Sequence, residues 1–231
     1  MPLQYDGTDD RVVTTNVTGA PTTYPFGFGV VCRLTAVTNF PALFAAGLID
    51  PAGSRSGYTW QVNNAQKLYV YNAVGLTTVT GTVNVPLNAW IFLGLACASA
   101  TSHRLYCYNY ETRSEVFNET LATNLGTLTA PAGTCKLGCS EGPSATFANF
   151  WAGILSWLAV FNRDLTIQGG DVFRSMAQLG PTVQFTPTLL YAFNEMAGTT
   201  VRDHRGTSND GTMTNFPGAP WVARSLGPPV A

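Results

Sequence analysis

The sequence predicts an all-β protein, a many-stranded antiparallel sandwich with one short helix near 166–179, and three observations carry that reading. Runs of β-branched and aromatic residues recur between clusters of Gly, Pro and Asn, which is the punctuation of a many-stranded antiparallel fold. Several runs are apolar on both faces: in Arg104–Tyr110, Leu105 and Cys107 point one way and Tyr106, Tyr108 and Tyr110 the other. Charged residues make up 11% of the 231-residue chain and hydrophobic residues 45%. The usual charged share is about 25%, so the surface relies on Thr, Ser, Asn and Gly. A sheet with two apolar faces needs cover on both sides, from a second sheet and from something else.

The elements follow in order. Arg11–Thr15 is a short β-branched run, and Phe26–Leu34 and Tyr58–Val62 are aromatic and aliphatic runs bounded by turn residues. Lys67–Asn72 and Thr77–Val83 alternate in the period of a strand, and Trp90–Ala98, Arg104–Tyr110 and Gly153–Asn162 are more continuously apolar. The helix signal lies in Thr166–Leu179: Thr166 suits a cap, Val172, Phe173, Met176 and Leu179 have helical spacing, and Gly180-Pro181 stops the run. Pro181–Thr188 reads as an extended connection, and the tail from Leu226 as irregular. The length fits one large sandwich, with no repeat long enough for a solenoid.

Charge and cysteine content narrow the function. A net charge of −1, without any Lys/Arg cluster, gives no footprint for nucleic acid. No stretch approaches the roughly 18 apolar residues that span a bilayer, and Met1–Arg11 lacks the pattern of a secretory signal. A protein made in a host cytoplasm is therefore expected. The five cysteines, Cys32, Cys97, Cys107, Cys135 and Cys139, are an odd set, so at least one is free or pairs between chains. Cys135-Lys-Leu-Gly-Cys139 lacks a second pair to complete a zinc knuckle, and the histidines are His103 and His204.

Four segments carry a resemblance. Leu3-Gln-Tyr-Asp-Gly-Thr-Asp-Asp-Arg-Val12 resembles the opening strand of laminin-G-like, concanavalin A-type domains. Asn88-Ala-Trp90 with Leu105-Tyr-Cys-Tyr-Asn109 is similar to that family's central strand pair, with Tyr110 where its turn carries Gly. Gly153-Ile-Leu-Ser-Trp-Leu-Ala-Val-Phe-Asn-Arg-Asp-Leu-Thr166 resembles its last strand and the close before a short helix. Leu190–Thr212 looks like the segment that in many relatives precedes the Asp-Gly strand, so the motif order here is circularly permuted. The resemblance implies an antiparallel jelly-roll sandwich of concanavalin A-like type over residues 1–180 that residues 181–231 complete. It also implies the company of stand-alone domains carried by tailed bacteriophages.

Candidate site residues each have two uses. Asp6, Asp9 and Asp10 offer carboxylate oxygens in a tight span, and relatives of this fold hold calcium, a cation that prefers oxygen ligands. The same residues suit a turn whose carboxylates accept backbone N–H bonds. Asp203, Asn209 and Asp210, among Gly206, Ser208 and Gly211, pose the same choice. Tyr106, Tyr108 and Tyr110 form a period-two stripe, with Tyr69 and Tyr71 as a second stripe beside it, suited to a sugar ring, a protein partner or internal packing. Trp90, Trp151 and Trp157 read as core or interface.

Catalysis finds little support. The Glu-x-Asp-x-x-Glu strand of related glucanases is missing, no Gly-x-Ser-x-Gly elbow exists, and Ser102-His103-Arg104 reads as a hairpin tip. Glu115 and Glu119, four apart, would share a strand face, but Asn118-Glu-Thr reads as a turn. The expectation is a non-catalytic structural or decoration subunit of a virion, forming a homo-oligomer or contacts with other virion proteins. The alternatives are a lectin-like module for cell-surface glycans and, behind it, a glycoside hydrolase.

Overall fold

Rings from two facing sheets meet in the interior, where Phe28 stacks on Trp60 with centroids 5.3 Å apart and Phe26 on Tyr58 at 5.4 Å. The computed structural model describes residues 2–47, 55–141, 146–166, 170–180, 185–195, 197–206, 209–216, 218 and 220–222. Its strands are, in chain order, β1 (Leu3–Asp6), β2 (Arg11–Thr14), β3 (Phe26–Leu34), β4 (Ala42–Ala46), β5 (Tyr58–Val62), β6 (Lys67–Asn72), β7 (Thr77–Asn84), β8 (Trp90–Ser99) and β9 (Ser102–Asn109). They continue as β10 (Ser114–Leu121), β11 (Cys135–Leu137), β12 (Ser140–Glu141), β13 (Phe147–Ala148), β14 (Ala152–Phe161), then helix α1 (Gly170–Leu179), β15 (Leu189–Tyr191), β16 (Thr200–Val201) and β17 (Gly211–Thr214).

A seven-stranded sheet in the order β1-β14-β3-β8-β9-β10, with β15 also on β14, packs against an eight-stranded sheet in the order β16-β17-β2-β11-β4-β5-β6-β7. Every described strand pairing is antiparallel, and the architecture is a jelly-roll sandwich. The C-terminal strands divide between the sheets, β15 joining one and β16 and β17 the other. The chain ends meet at β1: Val222 N donates to Pro2 O at 3.0 Å and Gln4 N to Pro220 O at 2.9 Å.

The cover demanded by two-sided strands is α1. Outward residues of the seven-stranded sheet, including Val31, Phe92, Tyr106 and Ala159, form a second core with Val172, Phe173, Met176 and Ala177 of the helix. Gly94 makes the seat, since a Cβ there would lie 2.5 Å from Cδ1 of Phe173. Gly180, at φ 100, closes the helix in the left-handed conformation that suits glycine, its N–H donating to Met176 O at 3.0 Å.

Three local expectations are corrected. The helix begins at Gly170, and Thr166 lies outside it, donating from N and Oγ1 to the Asp164 carboxylate; residues 167–169 lie outside the described set. Asn118, Glu119 and Thr120 are not a turn but the middle of β10, paired with β9. The Ser102–Arg104 segment begins β9, leaving Ala100 and Thr101 as the turn. Pro181 and the tail from Leu226 lie outside the described residues.

Candidate functional site

The outer face of the eight-stranded sheet carries a groove of about 260 Å³ over β4, β5 and β6. Register builds its floor. Lys136, Ala45, Thr59 and Tyr71 are successive cross-strand partners from β11 to β6, and the next row pairs Gln61 with Tyr69. Their neighbours Phe44, Tyr58, Trp60 and Val70 face the interior, so alternation sends this set outward. Ala45, the smallest residue of its row, leaves the hollow. Phe40, Arg55, Glu141 and Asn149 are among the residues that line the groove around this floor.

The polar groups of the groove are unevenly paired. Gln61 is 5% exposed as a residue and makes no side-chain hydrogen bond among the described residues, and its amide is not among the enclosed unpartnered atoms, so its accessible part is the amide that meets the groove. Lys136, 1% exposed, reaches Glu141 Oε2 at 2.6 Å and donates to Gly47 O and to Thr134 O. Burial raises the Tyr69 phenol above its ordinary value, the neighbouring Tyr71 adding to the effect.

Backbone strain gathers at one side of the groove. Asn39 and Phe40 have φ of 51° and 56°, and Asn149 has 56°, a region costly for a bulky side chain such as Phe40. Asn64 Oδ1 accepts from Phe40 N at 3.1 Å, and the Phe40 ring, 36% exposed, stands 5.9 Å from that of Tyr69. Asn149 Nδ2 donates to Ser140 Oγ at 2.8 Å.

The tyrosines expected to lie side by side are on opposite sheets. Tyr69 and Tyr71 line the groove, whereas Tyr106, Tyr108 and Tyr110 lie on the outer side of the other sheet, against α1. Tyr106 is fully buried and stacks on Phe173 at 5.7 Å. Tyr110 OH donates to Ala177 O at 2.6 Å, and Tyr108 meets Tyr110 edge-on at 5.4 Å. The second stripe is therefore separated from the first by the thickness of the sandwich, because β6 and β9 follow different sheets.

Asp6, Asp9 and Asp10 do come together, each with a carboxylate oxygen within 4.8 Å of the others. The loop uses part of this capacity itself: Asp6 Oδ1 accepts from Thr8 N, Asp10 Oδ2 from Asp6 N, both at 2.7 Å, and Asp9 Oδ2 from Asn215 Nδ2 at 2.9 Å. Asp10 Oδ1 is buried without a partner, and burial first, with the nearby Asp6 and Asp9 charges, pushes its carboxyl up to about 6. That orphaned oxygen and the hard donor set fit a cation such as calcium.

Asp203 and Asp210 behave as turn residues. Asp203 Oδ1 accepts from Leu190 N and Arg205 N, each at 3.1 Å, and Asp210 Oδ1 from Asp203 N at 2.9 Å. Among the described residues no third acidic, His or Cys ligand joins them. All five cysteines are buried and unpaired, and burial pushes the Cys135 and Cys139 thiols up to about 12, unlike metal-binding thiolates.

The carboxylate pair considered for hydrolysis is split by a β-bulge between Glu115 and Phe117. Glu115 pairs with outward Tyr108, and Glu119 with inward Leu105, so the four-residue spacing no longer gives one face. Glu115 lies 3.6 Å from Arg174 of α1, while Glu119 bonds β7 of the other sheet. Sequence reasoning missed Gln61, Phe40, Glu141 and Lys136. The lone Lys between Cys135 and Leu137 was the one available signal, an ammonium in an otherwise apolar strand.

No protein-family model matches the sequence, and neither does any curated protein. Similarity appears in the fold. A Bacteroides ovatus protein, described provisionally as carbohydrate binding, superposes with a TM-score of 0.62 at 12% identity, over 92% of this chain and 58% of its own. This chain thus spans little more than half of that protein's length. The CBM40 domain of Ruminococcus gnavus IT-sialidase, bound to α2,3-sialyllactose, gives 0.52 at 12% identity, over 73% of this chain and 94% of its own. The enzymatically active domain of bacteriophage CBA120 tailspike protein 2 gives 0.51 at 9% identity, over 76% of this chain and 27% of its own. These likenesses define the class, a jelly-roll sandwich shared by carbohydrate-binding and tailspike domains.

Proposed function

We propose that this chain is a carbohydrate-binding module that holds a glycan in the groove over β4, β5 and β6 without cleaving it. The carrying observation is the pairing of Gln61 with Tyr69 on the groove floor, an amide open to the groove and free of side-chain hydrogen bonds among the described residues beside an aromatic ring. A sugar ring stacks its C–H face on a tyrosine and supplies hydroxyls to an amide, so one ligand satisfies both groups. At about 260 Å³ the groove is smaller than the roughly 300–1,000 Å³ of pockets that enclose drug-sized ligands. It suits a terminal sugar of a glycan whose remainder stays in solvent.

The carbohydrate-binding and tailspike neighbours support this reading through their fold. The competing structural-subunit reading draws on apolar outer strand faces as well as on few charges and the phage-like resemblance, and α1 removes the first of these by covering the outer face of the seven-stranded sheet. A place on the virion surface, as a homo-oligomer that presents the groove to host glycans, remains our proposal for its setting. Calcium at Asp6, Asp9 and Asp10 would brace the groove, because Gly7 and Thr8 share a hollow with Phe40 and Asn149 of its lining.

The test is a glycan array with and without calcium, followed by titration calorimetry of each hit with the wild type and Tyr69→Ala. Binding weakened at least tenfold by Tyr69→Ala supports the site. An array blank under both conditions overturns it.

A further inference from the structure

We infer that the glycan taken by this groove is acidic, with a carboxylate held by Arg55; this rests on the groove being the glycan site. Two charged centres face it. The Glu141 carboxylate is matched from within by Lys136 at 2.6 Å, and that ammonium is further occupied by Gly47 O and Thr134 O. Arg55 has no such counterpart: Nη1 donates to Tyr71 OH at 3.4 Å, and among the described residues no carboxylate pairs with it. Among the described residues the groove therefore carries one uncompensated positive charge.

The shape of that charge selects the ligand. A guanidinium presents five N–H donors in a planar fork, and a carboxylate accepts two of them at once. Tyr69 and Tyr71 lie two residues apart on one strand face, which separates them by about 6.6 Å. A sugar ring seated on Tyr69 beside Gln61 thus directs an exocyclic carboxylate toward the guanidinium at Tyr71. A neutral sugar would leave the guanidinium unpaired beneath it, and an amino sugar would meet like charge. The class that satisfies Tyr69, Gln61 and Arg55 together is a uronic or nonulosonic acid.

The experiment uses calorimetry on the full chain with two probe pairs, sialyllactose against lactose and oligogalacturonate against its methyl ester. In at least one pair the acid is expected to bind at least tenfold more tightly than its neutral partner. Arg55→Ala, an exposed position whose variant should melt as the wild type does, is expected to equalise that pair. Equal binding of acid and neutral partner in the wild type, or discrimination that survives Arg55→Ala, overturns the inference. If a neutral sugar binds in a manner lost in Tyr69→Ala and unchanged in Arg55→Ala, the groove stands and its acid preference falls. A sulfated oligosaccharide binding in place of both carboxylates overturns the ligand class, and no binding of any probe overturns groove and preference together.

Discussion

Glu119 on the edge strand of one sheet grips Thr82 on the edge strand of the other, its Oε2 accepting from Thr82 N at 2.8 Å and its Oε1 from Thr82 Oγ1 at 2.6 Å. Oε1 also accepts from Val83 N at 3.0 Å. The bond set closes the side of the sandwich where β10 and β7 end the two sheets. Glu119→Ala is expected to lower stability by about 1 kcal/mol, since these bonds are solvent-exposed and charge-assisted. Urea unfolding gives the measure, and a midpoint equal to that of the wild type would contradict a closing role.

Gln61 separates binding from stability. Gln61→Leu removes an amide that the solvent of the groove reaches, so stability should stay within about 0.5 kcal/mol of the wild type while glycan affinity weakens at least tenfold. Thermal melting and calorimetry on the same preparation test both halves. A variant that loses both stability and affinity shows that Gln61 supports the sheet and not the ligand alone.

Asp10 sets a pH dependence of one sign. Its folded carboxyl is raised from 3.8 to about 6, so the folded chain holds a proton that the unfolded chain releases. Its favourable contribution is complete below 3.8 and disappears as pH rises through about 6. Without calcium, Asp10→Asn should be more stable than the wild type at pH 7.5, by at most about 3 kcal/mol, and the two should converge below pH 4. With calcium, the wild type should gain stability and Asp10→Asn should not. Equal melting temperatures of wild type and variant at pH 7.5 without calcium would remove this account.

His103 has the opposite sign. It is buried at the start of β9, Nε2 lying 3.0 Å from Ala100 O and 2.9 Å from Thr123 O, with Nδ1 unpartnered. Burial lowers its pKa below 6.5, against a smaller opposing effect of those two carbonyls. The unfolded chain takes up a proton near 6.5 that the folded chain refuses until lower pH, so stability is complete above 6.5 and falls as pH drops through the folded value. His103→Gln should flatten this acid limb in melts between pH 7 and 5. An unchanged slope would show that other groups carry it.

The bounds of β3, β5 and β6 were legible because β-branched and aromatic residues fill them and turn residues flank them. β4 was not, because Ala42-Leu-Phe-Ala-Ala46 is rich in a residue poorly represented in strands, and it is held by β5 and β11. β10 was hidden by its polar residues, as suits an edge strand. Period-two spacing put Tyr69 and Tyr71 on one face and Tyr106, Tyr108 and Tyr110 on another, but which sheet each joined depended on topology. The bulge that parts Glu115 from Glu119 has no local sequence mark, and neither has the absence of a partner for Gln61. An amide in a strand reads as solvent-facing until its neighbours are known.

The meeting of Pro2 and Val222 decides how the protein bears tension. With Pro2 and Val222 paired at one corner, a pull applied at these two residues acts on an antiparallel pair from the same side. Load there opens the contacts Val222–Pro2 and Gln4–Pro220 one after another, as a zipper. The strands that carry Gln61 and Tyr69 belong to the other sheet, so pulling at this corner is expected to leave the geometry of the groove unchanged.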